Sequence, residues 1–149
     1  MHMSEYLQSS DLPGWGGPSD ELEHVELVLP VRPELWALAR ITASAIAARL
    51  DFSVDQLEDL RLSIDELCTS CAVQASARSR LHLDYRSDEA SVSVVCSVFP
   101  VLDARNEEDL QSLELSARIL EALVDEHAIE EVKEGRRRGW LVMRRDSRS

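Results

Sequence analysis

The sequence predicts an α/β protein, a two-layer sandwich in which three helices cover one face of a mainly antiparallel, five-stranded sheet. Three observations carry this expectation. Apolar residues alternate with polar ones from His24 to Val31, from Leu81 to Tyr85 and from Val92 to Val98, the period of strands with one buried face. Three longer stretches repeat their apolar residues at steps of three and four, the period of helices with one buried stripe. The strands after the second helix come in pairs joined by short turns, so the sheet is mainly antiparallel and the helices cover its apolar face. At 149 residues, 44% of them apolar, the chain is suited to a single core of ordinary size.

Residues 1–20 carry Pro13, Gly14, Gly16, Gly17 and Pro18 among several serines, with no helical or strand period. They read as a flexible tail ahead of one domain spanning residues 21–149. Tyr6 and Trp15 are unusual there and would suit docking, although an idle tail is the simpler reading. The first strand places Val25, Leu27, Leu29 and Val31 on one face, and Pro30 and Pro33 close it. Pro33 also suits a helix start, and apolar spacing through Leu35, Trp36, Leu38, Ala39, Ile41, Ala45, Ile46 and Leu50 predicts a helix to about Arg49.

The stretch LDFSVDQLEDLRLSIDELCTSCAVQASA, Leu50 to Ala77, predicts the central helix, with Leu57, Leu60, Ile64, Leu67 and Cys71 as its buried stripe. Ser53 or Asp51 is placed to cap its free amides, and Asp55 adds negative charge at the positive end. Asp59, Glu66 and Ser70 share the other side, Glu66 and Ser70 one turn apart. Ser87, Asp88 and Glu89 form the turn of a hairpin. A third helix follows on Leu113, Ile119, Leu120 and Leu123. The ending reads as a second hairpin, Ala128 to Lys133 with Trp140 to Arg144, joined across Gly135 and Gly139.

A net charge of −12 argues against nonspecific nucleic-acid binding, which needs clustered cations. It suits either a basic partner or simple solubility. The sequence holds no apolar run near the roughly 20 residues that span a bilayer and no signal-peptide pattern, so a cytoplasmic location without membrane contact is expected. Cys68, Cys71 and Cys96 make an odd count with no disulfide framework. Cys68 and Cys71 form a C-x-x-C inside a predicted helix, which favours buried core thiols over redox or zinc chemistry. His2, His24, His82 and His127 lack metal-ligand spacing, and no metal site is expected. Arg136, Arg137 and Arg138 read as a solvated turn, with a contact for an acidic partner surface as the alternative.

The run DLRLSIDELCTSCA resembles the N-box helix of the histidine kinase-like ATPase superfamily, and is most similar to bacterial anti-sigma factors of the RsbW type. The resemblance spans about His24 to Arg145 and implies the same sandwich fold. The family pattern L-x-V-x-E-x-x-x-N holds a catalytic base and a magnesium ligand, which fall here on Glu66 and Ser70. A serine hydroxyl is a shorter and poorer magnesium ligand than an amide carbonyl. The family's D-x-G-x-G box aligns with Ser97, Val98, Phe99, Pro100 and Val101; sliding the register recovers an acid at Asp103 but no glycine. Its G-x-G-L aligns with Glu114, Leu115, Ser116 and Ala117, ahead of an L-x-D-E at Leu123 to Glu126. A glutamate set against a phosphate at ~4 Å costs on the order of 4 kcal/mol at an effective dielectric of about 20. Phe99 and Pro100 are expected to fill part of the nucleotide space.

The resemblance therefore implies a regulator of bacterial stress transcription: an anti-sigma factor that sequesters an alternative sigma factor and yields it to an anti-anti-sigma antagonist. No cofactor is expected, and Glu66, Ser70 and Asp103 are remnants of the Mg-ATP machinery. The first two helices are the expected contact surface, and a homodimer is in keeping with the family. The alternative is an active serine kinase that uses Mg-ATP to phosphorylate the antagonist. A third reading makes Cys68 and Cys71 a redox switch.

Overall fold

The computed structural model describes residues 23–103 and 106–146. The tail expected over residues 1–20, with His2, Tyr6 and Trp15, lies outside them. The elements run β1 (Glu23–Pro30), α1 (Trp36–Arg49), α2 (Val54–Cys71), β2 (Ala75–Ser87), β3 (Ser91–Val101), α3 (Glu107–Leu123), β4 (Glu126–Ile129) and β5 (Arg137–Arg144). The five strands form one antiparallel sheet in the order β1-β2-β3-β5-β4. This is the expected α/β sandwich.

Alternation in the strands becomes two faces. Leu81, Leu83, Tyr85, Val92, Val94, Cys96, Val98, Leu141 and Met143 point at the helices and are buried with Ala39, Ala43, Leu60, Ile64, Leu67 and Leu120 in one core. Each large aliphatic side chain fully buried here contributes about 1.5–3 kcal/mol of transfer free energy. Tyr85 joins the layers at its polar tip too, its hydroxyl donating to the Ala39 carbonyl at 2.9 Å. The opposite sheet face carries a small second cluster, Val95, Trp140 and Val142.

Pro33 opens a single 3₁₀ turn, Pro33–Leu35, that feeds α1. Ser53 caps α2 in a reciprocal box: its hydroxyl accepts from the Gln56 amide at 3.1 Å, and its own amide donates to the Gln56 side chain at 3.5 Å. Asp51 is instead the left-handed residue of the α1–α2 turn, with φ 63°. The second helix ends at Cys71, earlier than the apolar pattern suggests. Gln74 takes φ 64°, and the chain is already in β2 at Ala75. The alanines and serine of residues 75–77 satisfy either period, and pairing with Val101 selects the strand.

The hairpins are also specific. Asp88 Oδ1 accepts from the amides of Ala90 and Ser91, both at 2.9 Å, which locks the β2–β3 turn. Before β5, Lys133 and Arg136 exchange two backbone hydrogen bonds around Glu134 (φ 52°) and Gly135 (φ 76°), both left-handed as a tight hairpin turn requires. Gly139 is not a turn residue. It lies in β5, where an added Cβ would stand 2.8–2.9 Å from Ile129, Cys71 and Leu67.

The arginine run is not a solvated turn. Arg137 is 2% exposed and donates to the Val73 carbonyl, Arg138 pairs with Glu130 at 2.9 Å, and Arg136 lies 4.8 Å over the Phe99 ring. Because β5 begins at Arg137, Arg137 and Arg138 are held by the sheet, and Arg136 by its backbone bridge to Lys133.

Candidate functional site

The helix face bearing Glu66 and Ser70 is not open. The amphipathic pattern of α3 turns Leu120 and Ser116 toward α2, and Ser116 is only 6% exposed. Its hydroxyl donates to Glu66 Oε2 at 2.8 Å. One turn further along α2, Ser70 is 1% exposed and its hydroxyl has no hydrogen-bond partner among the described residues. Asp59 is half-buried, its carbonyl accepting from Ser63 at 2.6 Å. One Glu66 oxygen is thus already engaged by a fixed hydroxyl, and a fully buried serine oxygen is a poor magnesium ligand.

The start of α3 is held down separately. Asn106 caps it by accepting from the Asp109 amide at 2.7 Å, and Gln74 donates to Asp109 Oδ2 at 2.6 Å, tying the helix to the α2–β2 connection. Glu107, Glu108 and Asp109 fill the first turn. These three carboxylates suit the positive helix end but repel the phosphate that a bare helix N-terminus would attract. Their role was open to sequence reading, since three acids directly after an asparagine are a helix-start signal.

Two cavities flank this helix. One of about 680 Å³ lies between α3 and β4 and includes Asp103, Glu114, Glu130, Glu131 and Arg137 in its wall. The other, about 500 Å³, is bounded by Gln74, Val101, Asp103, Asn106, Val132 and Gly135. Asp103 is thus common to both, on the exposed connection after β3. Burial lowers the Arg137 pKa below its ordinary value, while Cys71, Asp103 and Asp109 act in the opposite direction. The larger cavity sets that single buried guanidinium against a majority of carboxylates.

The residues aligned with the D-x-G-x-G box do not form a loop. Ser97 to Val101 continue β3; the Val101 amide donates to the Gly135 carbonyl at 2.8 Å, and the Pro100 carbonyl accepts from Ser79 at 2.5 Å. Phe99 is 44% exposed and packs beside Gly135 and Arg136. It therefore lies on the surface and does not fill the nucleotide space, because its position in the strand alternation points it away from the helices.

Sequence comparison joins this geometry to known proteins. The serine-protein kinase RsbW of Bacillus licheniformis is 28% identical over 121 residues, covering 76% of this chain and 68% of that protein. The chain is a homologue of RsbW. The RsbW proteins of Bacillus velezensis and Bacillus subtilis are each 32% identical over shorter segments, 57 and 53 residues, covering 38% and 36% of this chain and 36% and 33% of theirs. The matches thus span about a third to two thirds of those relatives' lengths. No family model matches the chain. In this RsbW homologue, the five-stranded sheet and three helices make the α/β sandwich of the histidine kinase-like ATPases. Of the residues aligned with the family's base and metal ligand, Glu66 is bonded to α3 through Ser116 and Ser70 is buried.

The other candidates sort simply. Cys68, Cys71 and Cys96 are free and fully buried, as core thiols should be, with Cys71 Sγ 3.7 Å from the Cys96 carbonyl. None of the described helices is long and apolar enough to cross a membrane.

Proposed function

We propose that this RsbW homologue is an anti-sigma factor that holds an alternative sigma factor by steric occlusion and yields it to an anti-anti-sigma antagonist without using ATP. The observation that carries the reading is the 2.8 Å hydrogen bond from Ser116 to Glu66, which places α3 across the face that nucleotide chemistry would need. The acidic first turn of α3 adds to it. Residues 21–149 act as the binding domain and residues 1–20 as an appendage to it.

The contact surface in this reading is the outer side of α1 and α2, where Leu38, Ile41 and Leu62 are 45%, 64% and 53% exposed. Exposed aliphatic side chains on neighbouring helices favour a protein partner. Surplus negative charge elsewhere on the chain favours a basic one, as a DNA-binding sigma factor is.

The relatives are named serine-protein kinases, which favours a second reading in which the chain phosphorylates its antagonist. A tagged pull-down from the native cytoplasm, analysed by mass spectrometry with and without Mg-ATP, separates the two. The first reading expects a sigma factor in both samples, and sigma retention by Glu66→Ala equal to that of the parent chain. Label transfer from Mg-ATP to a captured antagonist, abolished by Glu66→Ala, would establish the kinase instead. Capture of neither protein removes the anti-sigma assignment.

A further inference from the structure

We infer that His24, Glu26 and Asp84 form a binding site for a zinc-type divalent cation on the edge of the sheet, outside the nucleotide region. Among the described residues, these three bring their ligating atoms within 4.8 Å of one another. The arrangement follows from strand geometry. His24 and Glu26 are two apart on the edge strand β1 and so share a face, and Glu26 lies directly opposite Asp84 in the β1–β2 register.

The Asp84 carboxylate gives the site its character. Its residue is 1% exposed, and neither oxygen accepts a hydrogen bond of ordinary geometry. Oδ1 is met by charge contacts, His24 Nε2 at 2.9 Å and Arg86 Nε at 3.4 Å. Glu26 Oε1 stands 3.8 Å from the same histidine nitrogen. A buried carboxylate lacking hydrogen bonds is costly, and a divalent cation relieves that cost.

One imidazole nitrogen and two carboxylate oxygens are a zinc-type donor set, needing ligand bonds of roughly 2.0–2.2 Å with water in a fourth position. The cation takes the place of the direct contact between His24 and Asp84. Side chains of His24 and Glu26 are each 41% exposed, so they have the freedom to open the 2.9 Å contact and admit the ion from solvent. Arg86 then serves as an outer partner that orients Asp84, as ligating carboxylates generally require.

The test is calorimetric titration of zinc chloride into the full chain after chelator treatment, with His24→Gln and Glu26→Gln as variants. Both positions are exposed, and circular dichroism checks that each variant stays folded. The expected result is one saturable site per chain, weakened at least tenfold in each variant, with no comparable magnesium binding. Cobalt should give a visible tetrahedral absorption band that His24→Gln abolishes. Absence of saturable zinc binding, unchanged binding in His24→Gln, or magnesium binding as tight as zinc would each overturn the site.

Discussion

Gly139 shows how much one residue carries in this fold. It lies in β5 opposite Cys96 on one side and Ile129 on the other, directly beneath α2. A methyl group there meets Ile129, Cys71 and Leu67 from three directions, all under 3 Å. Gly139→Ala should therefore destabilise by about 1–3 kcal/mol through overpacking, read as a lower urea midpoint with an unchanged slope. An unaltered midpoint would mean that the β4–β5 hairpin slides freely under α2. Asp84 and Arg137 make the same point with charge. Both are almost wholly buried, yet in the sequence each is an ordinary charged residue among others, because a cross-strand neighbour has no sequence spacing to betray it.

At the scale of elements, α2 is the best-signalled piece of the chain and its start is the most precisely encoded. Ser53 and Gln56 satisfy one another's backbone groups, and the Gln56 side chain also donates to the Arg144 carbonyl at 2.8 Å, fastening α2 to the end of β5. Ser53→Ala should cost ~1 kcal/mol, and Gln56→Ala more, since it loses the tertiary bond as well as the cap. Equal midpoint shifts for the two variants would show that the Arg144 contact contributes nothing. The third helix was legible as a helix from Leu113, Ile119, Leu120 and Leu123, but not as a cover for Glu66. Periodicity reports which side of a helix is apolar, whereas the element that side meets depends on connections and sheet order.

For the whole molecule, the core makes stability depend on alkaline pH. Burial holds the Cys96 thiol and the Tyr85 hydroxyl protonated well above their ordinary values of 9.0 and 10.0. The unfolded chain loses those protons near the ordinary values, so above pH 9 it binds fewer protons than the folded chain, and stability falls as pH rises. Each group contributes a loss of about 1.4 kcal/mol per pH unit, Cys96 first and Tyr85 above pH 10. Urea midpoints measured between pH 8 and pH 11 should decline in this order, and Tyr85→Phe should flatten the portion above pH 10. A flat profile would mean that these groups reach water in the folded state.

The sequence alone determined the element order, the antiparallel pairing, the face each strand buries and the kinship with RsbW. These are local: each rests on the spacing of neighbouring side chains or on turn chemistry within a few residues. It also singled out Glu66 and Ser70 as candidates, since those are matters of residue identity at fixed spacing. Only the tertiary structure decided that α3 lies over Glu66, that Phe99 points outward, that Arg137 is a buried cation, and that His24 and Glu26 meet Asp84. Each of those brings together residues far apart in the chain, and the register and layer packing that do so are set by the whole core at once.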